Sequence, residues 1–389
     1  MEFWCPLHNK HAGHIDTWLK FVLLSKTKEL ILHLSNSTMG YKLPFFVASG
    51  GSYLRCLQLT SVSLKLPADF NGFPNLKRLN MVDVTITNEH VECLLSKCNL
   101  LEFLEITCCG MLTTLRSLGP LNRLKHLKVQ DCILVELIKM NCGLITFEYS
   151  GPIVPLQFAT TSGLRTVSVN LTSDTNALDY ITTGFPCTMQ HLETLNLKCN
   201  QHKRAISPVR PHKFIYLRDL RLELNIFGAS EDRKTDVLDY AYLLDCAPSL
   251  ENLELHMWMQ CDHEIYHAGR GGLRSLPLHQ HTCLKSVYMT GFFGHKDQVE
   301  LALYILRCST ALKAMKIDSR VKIIPGGTYA APAIYRRRHY LDGYMVATVF
   351  VRGADRNNNI VQVSGAIQYG LARVIDGCTR FRVTWDPDF

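Results

Sequence analysis

Histidine and cysteine gather at two places along the 389 residues, and both raise the question of metal chemistry. Cys5, His8, His11 and His14 recur every third residue, while Cys261, His263, His267, His279, His281 and Cys283 crowd one later stretch. Tetrahedral zinc usually draws paired ligands from two knuckles, and no C-x-x-C occurs among the 15 cysteines. The first group lacks a second pair and reads as an exposed entry segment. The second falls in a long insertion, where polar residues are tolerated, so no metal is expected. Gly269-Arg270-Gly271-Gly272 lacks the Lys-Ser/Thr and the preceding strand of a phosphate loop. No G-x-S-x-G or H-E-x-x-H is present, and no spacing unites a nucleophile, a base and an orienting group. The expectation is a protein without catalysis and without cofactors.

Charge and hydropathy narrow the partners further. A formal charge of +8 is modest for this length and its signs are interspersed. The basic run Arg336-Arg337-Arg338-His339 reads as solvated surface rather than a nucleic-acid patch, so nucleic acid is not the expected partner. The opening Met1-Glu2-Phe3-Trp4-Cys5-Pro6 has no basic n-region ahead of an apolar stretch, and no run reaches about 18 apolar residues. Neither a cleavable secretory signal nor a membrane span is expected. Cysteines scattered through apolar positions fit buried thiols in a reducing compartment, hence the cytoplasm, the nucleus or both.

Whatever these side chains do, a repeat must position them. The pattern L-x-x-L-x-L recurs as Leu54-Leu57-Leu59, Leu76-Leu79-Met81, Leu101-Leu104-Ile106, Leu124-Leu127-Val129 and Leu144-Phe147-Tyr149. It continues as Leu164-Val167-Val169, Leu192-Leu195-Leu197, Leu217-Leu220-Leu222, Leu250-Leu253-Leu255, Leu284-Val287-Met289 and Leu312-Met315-Ile317, after a weaker Glu29-Leu32-Leu34. Apolar residues two apart suit a short strand with one face inward, and a single unit cannot bury that face unaided. Stacking is therefore required, at the period of a leucine-rich repeat. The predicted fold is an α/β leucine-rich-repeat solenoid, a horseshoe with a parallel β-sheet on the concave face and irregular helices or loops on the convex face. Its parts are a 1–28 entry segment or cap, repeats over 29–278, final repeats over 279–319 and a small β-rich extension over 320–389, with strand through Tyr344–Val351.

Leu94-Leu95, Leu243-Leu244 and Ile305-Leu306 stand at one offset ahead of the next strand and predict helices. In the last, Val299, Ala302, Leu303 and Leu306 follow helical spacing, with Asp297 and Glu300 as the capping pair. Eight residues after the first leucine, where Asn or Cys satisfies the turn, Cys109, Cys132, Asn200 and Asn225 comply. Val62, Val84, Pro152 and Trp258 do not, which predicts an irregular solenoid.

Strand alternation turns the intervening residues to the open face. They are Arg78, Asn80, Phe103, Glu105, His126, Lys128, Glu148, Asn196, Lys198, Arg221, Glu223, Glu254, His256, Ser286 and Tyr288. Arg and aromatic side chains are the usual anchors of protein interfaces. The candidate partner-binding set is Arg78, Phe103, Glu105, His126, Lys128, Glu148, Lys198, Arg221, Glu223, Glu254, His256 and Tyr288, for a protein substrate or ligand.

Three stretches carry a family likeness: His14-Ile15-Asp16-Thr17-Trp18-Leu19-Lys20 with Lys28–Leu34; Phe73-Pro74-Asn75-Leu76-Lys77-Arg78-Leu79; and Leu284–Val287 through Gly291-Phe292 to Met315-Lys316-Ile317-Asp318. From Cys5 to Asp318 the sequence resembles plant F-box/leucine-rich-repeat proteins with a C-terminal FBD segment. The resemblance implies a substrate-recognition part of an SCF-type, cullin-RING ubiquitin ligase receptor. In that family an N-terminal F-box docks on a Skp-type adaptor. Here the chain opens at the entry to the repeats, so the F-box is expected to be missing, and adaptor binding is expected only if the full gene product has one. A leucine-rich-repeat fragment that senses a ligand in signalling or immunity is the alternative reading.

Overall fold

A lone strand with three inward leucines leaves both backbone edges unsatisfied, and parallel stacking of like strands removes that cost at every rung but the outermost two. The computed structural model describes residues 2–6, 12–35, 41–44, 47, 53–172, 177–201, 213–227, 235–260, 265–277, 279–322, 333–355 and 359–365. Among these, 14 strands form one sheet in chain order. All twelve repeat copies lie on it, from Glu29–Ser35 through Cys56–Thr60, Arg78–Val82 and so on to Ala314–Asp318. Every pairing is parallel and keeps equivalent leucines in line, as in Leu79 beside Leu57 and Leu104. Those inward side chains are 0% exposed, each worth about 1.5–3 kcal/mol on burial. The fold is thus the α/β leucine-rich-repeat solenoid, with the parallel sheet on its concave face. No helix among the described residues is long and apolar enough to cross a membrane.

Two strands of this 14-stranded sheet carry no leucine triplet. Glu2–Pro6 pairs with Glu29–Ser35 across the Ala12–Leu24 helix, so part of the expected entry cap is itself a rung. At the other end Val361–Ser364 pairs with Ala314–Asp318. The Tyr344–Val351 stretch, expected as strand, is helical instead. It spans the end of the Ala333–Val346 helix and a π-turn over Ala347–Val351. Its β-branched residues favour a strand, but Val346, Ala347 and Val351 are buried while Val349 is 64% exposed, the spacing of a helix packed on one side.

After the strands of the first half the chain turns through a left-handed residue. Ser61, Asp83, Cys108 and Asp131 hold φ of 55°, 53°, 54° and 53°. Each donates its N–H to the next rung, Ser61 to Val82 O and Asp83 to Thr107 O, for example. The following side chain points inward, and at this place the Cys109 and Cys132 thiols face the carbonyls of Thr107 and Gln130 at 3.5 and 3.4 Å. Asn200 and Asn225 do not act this way. Their strands run on to Gln201 and Phe227, so both amides stand on the open face and bond each other at 3.0 Å.

Helices close the convex side at the three predicted places: Asn88–Lys97, Tyr242–Cys246 and Lys296–Cys308. A parallel three-stranded sheet of Thr114–Arg116, Leu137–Gly143 and Leu156–Thr160 covers intermediate repeats. The cap of Lys296–Cys308 differs from the expected Asp297/Glu300 pair. His295 is the N-cap, and Gln298 Oε1 accepts from the N–H groups of Phe293, Gly294 and His295. Asp297 instead accepts from Val237 N, and Glu300 binds Arg274.

Candidate functional site

In-register stacking converts single side chains into rows that cross the open face. One row runs Arg78, Phe103, His126, Thr146; the next runs Asn80, Glu105, Lys128, Glu148, Ser168, Asn196, Arg221, Glu254, Tyr288, Lys316. A third holds Lys198, Glu223 and His256. All twelve residues of the candidate set therefore take outward strand positions on one continuous sheet face, as does Ser286 beside Asn252 and Ala314.

Within it they segregate into two charged groups. Toward the N-terminus the Arg78 guanidinium sits 4.7 Å above the Phe103 ring, which lies 4.7 Å from the His126 ring. His126 Nε2 is 3.0 Å from Glu148, Lys128 is 2.8 Å from Glu105, and Asn80 donates to Glu105 at 2.6 Å. Toward the C-terminus Arg221 binds Glu223 at 2.6 Å and Glu254 at 3.4 Å. Tyr288 lies beneath two ammonium groups, Lys316 at 5.2 Å and Lys322 at 5.1 Å. Such half-exposed pairs contribute about 0–1 kcal/mol each, so they set side-chain direction more than stability. Between the groups lies a floor of short polar side chains, including Ser168, Asn170 and Asn196, with a hollow of about 160 Å³ bordered by Lys198 and Arg221.

His256 departs from the expectation of a contact residue, because it is 0% exposed. Its Nε2 meets the Glu254 carboxylate at 3.0 Å and its Nδ1 meets Thr290 Oγ1 at 2.9 Å. The carboxylate only accepts, so Nε2 carries a proton. Burial pushes its pKa below the ordinary histidine value, helped by Arg221 and Lys322 and opposed by Glu254. Glu254 is itself held low: burial raises it, but the His256 hydrogen bond, Lys322, His256 and Arg221 outweigh that. A histidine with a depressed folded pKa favours the fold above its unfolded value and loses that contribution as pH falls through it. Acidification from pH 7 to 5.5 is thus expected to lower the urea midpoint of the wild type more than that of His256→Gln. Equal slopes for the two proteins would refute the assignment. Tyr288 faces the same ring at 5.7 Å.

Lys316 and Ser168 belong to the surface although the triplet pattern alone did not single them out, and their place between Met315 and Ile317 and between Val167 and Val169 was the available signal. Among the described residues the metal candidates do not assemble. His8, His11, Cys261 and His263 lie outside the described residues, while His14 and His267 are exposed. His279 stands 3.7 Å from Asp245. Buried His281 donates from Nε2 to Ala247 O at 3.0 Å and accepts Leu284 N–H on Nδ1 at 3.1 Å, a structural bridge between rungs. No group of three or more metal-binding side chains occurs among the described residues.

Residues 2–330 match the family described as At1g61320/AtMIF1, LRR domain, a fold that serves protein interaction. Over 93 residues the chain is 36% identical to the F-box/FBD/LRR-repeat protein At1g13570 of Arabidopsis thaliana. That similarity covers 24% of this chain and 22% of the relative, about a fifth of its length.

Proposed function

Because the chain belongs to the At1g61320/AtMIF1 LRR domain family, we propose that its open sheet face binds a protein and that it serves as the substrate-recognition part of an SCF-type ubiquitin ligase receptor. The observation that supports this most is the continuity of the Arg78–Phe103–His126 stack with the Arg221–Glu254–Tyr288 group on one unbroken parallel surface. Rigid aromatic and guanidinium groups set in charged surroundings are what a protein partner uses as anchors. The partial likeness to an F-box/FBD/LRR-repeat protein supports the ligase context, with residues 279–319 as the FBD-like part. Adaptor docking belongs to this reading only if the full gene product carries an F-box. Buried thiols such as Cys98, Cys109 and Cys132 suit work in the cytoplasm, the nucleus or both.

Affinity purification from plant cells tests this reading, with the wild type beside a variant carrying Phe103→Ala, Glu105→Lys, Arg221→Glu and Glu254→Lys. Proteins held by the wild type are expected to be lost with the variant, and their half-lives to lengthen when the chain is depleted. Retention of the same proteins by the variant would overturn the open-face assignment, and unchanged half-lives would overturn the ligase role.

A further inference from the structure

Among the described residues, each acid bordering the central hollow already faces a nitrogen of another side chain, whereas Lys198 faces no acid. Glu148 faces His126 at 3.0 Å, and Glu223 is bound by Arg221 at 2.6 Å. Lys198 stands in register between Asn170 and Glu223, yet Glu223 turns to Arg221, and Lys198 has no ion partner among the described residues. Beside it Ser168 Oγ accepts from Asn196 Nδ2 at 3.0 Å, which leaves the Ser168 hydroxyl proton to donate. Asn170 likewise spends one amide hydrogen on Ser150 at 3.0 Å and keeps the other. The floor thus offers the Lys198 ammonium, without an ion partner among the described residues, and several neutral donors between taller charged side chains.

We propose that Lys198, Ser168, Asn170 and Asn196 form an acid-reading subsite that takes one Asp or Glu side chain of a bound protein segment. A carboxylate presents acceptors only and carries a single charge, which matches one uncompensated ammonium and its neighbouring donors. The dianion of a phosphate group fits worse, because Glu148 and Glu223 border the same hollow. This subsite rests on the reading of the open face as protein-binding.

Retention of biotinylated decapeptide pools by the full 389-residue chain tests it, each pool being degenerate except for Glu, Gln or phosphoserine fixed at the centre. The Glu pool is expected to be held roughly fivefold more tightly than the Gln pool, the scale of one exposed ion pair, with the ratio shrinking at high salt. Lys198→Met should bring the ratio to one, whereas Lys198→Arg and the convex-side Lys139→Met should keep it. Equal retention of Glu and Gln pools by the wild type, a ratio unchanged by Lys198→Met, or phosphoserine held above Glu each overturns the subsite. Retention of none of the pools overturns the protein-binding reading beneath it.

Discussion

Replacing Gly291 by alanine is expected to remove at least about 3 kcal/mol of stability, a large loss for a single methyl group. Gly291 follows the Ser286–Thr290 strand at φ +68°, the same place in its repeat that Ser61, Asp83, Cys108 and Asp131 hold at 53–55°. Those four residues show that the left-handed turn itself accepts a side chain here. What excludes one at Gly291 is a neighbour: a Cβ built there would lie 1.8 Å from the Met257 carbonyl oxygen. The Asn252–Gln260 strand runs four residues longer than Ser286–Thr290, so straight backbone passes where an earlier rung has already turned away. Gly291 O also accepts from Gln298 Nε2 at 3.0 Å, which ties the turn to the cap of the Lys296–Cys308 helix. Gly271 is the control, with φ +89° but nothing within 4 Å of the place its methyl group would take; Gly271→Ala should cost only about 1–2 kcal/mol of backbone strain. Urea midpoints followed by far-ultraviolet circular dichroism separate the cases. Gly291→Asp should be no milder than Gly291→Ala, despite aspartate in the equivalent place at positions 83 and 131. If Gly291→Ala unfolds at the same midpoint as Gly271→Ala, the carbonyl contact is not what demands glycine.

The solenoid is legible in the triplets because their signal is strictly local. Leu57-Leu59, Leu79-Met81 and Leu104-Ile106 each place two side chains inward at strand spacing, whatever the spacer length between them. Features that depend on a neighbouring rung are not written locally. Asn200 and Asn225 look like turn residues by position, yet their strands continue past the turn, and only the length of the adjacent strands shows it. Tyr344–Val351 has strand-like composition, but it forms helix packed close to the turn before Lys296–Cys308: a Cβ added to Gly294 would stand 2.9 Å from the Val346 side chain.

The open face was legible to the same depth. Strand alternation located Arg78, Phe103, Arg221 and Tyr288 on it without any knowledge of register. It could not show that Glu105 pairs with Lys128, or that Arg221 draws Glu223 away from Lys198, since these are relations between residues on different strands or between competing partners. Nor could it show that His256 is covered. A histidine at an outward position reads as exposed, and only Glu254, Thr290 and Tyr288 around its ring reveal otherwise.

Arg274→Ala is expected to cost about 2–3 kcal/mol, because it leaves an acid without its cation inside the convex side. The Glu300 side chain is fully buried and accepts from Arg274 three times: backbone N–H at 2.7 Å, Nε at 2.8 Å and Nη2 at 2.5 Å. Arg274 reaches onward to Asp236 through Nη1 at 2.5 Å and Nη2 at 3.1 Å, while Asp236 caps the turn at Leu238 N. One guanidinium thereby joins the insertion to the helix and to the Val237–Ala241 turn. After truncation only the backbone N–H, among the described residues, still meets Glu300. A fully enclosed pair would lose about 3–5 kcal/mol on removal of one partner, but the Arg274 side chain is 45% exposed, so water compensates part of it. The double variant Arg274→Met with Glu300→Leu replaces both charges by apolar groups and should recover more than about 1 kcal/mol relative to Arg274→Ala. Urea midpoints measured on the wild type, the single and the double variants decide the point. A double variant as unstable as the sum of its two single changes would mean that the uncompensated carboxylate is not the source of the loss. The 265–277 insertion would then be held by Tyr266 against Phe350, whose rings lie 4.8 Å apart, rather than by the ion pair.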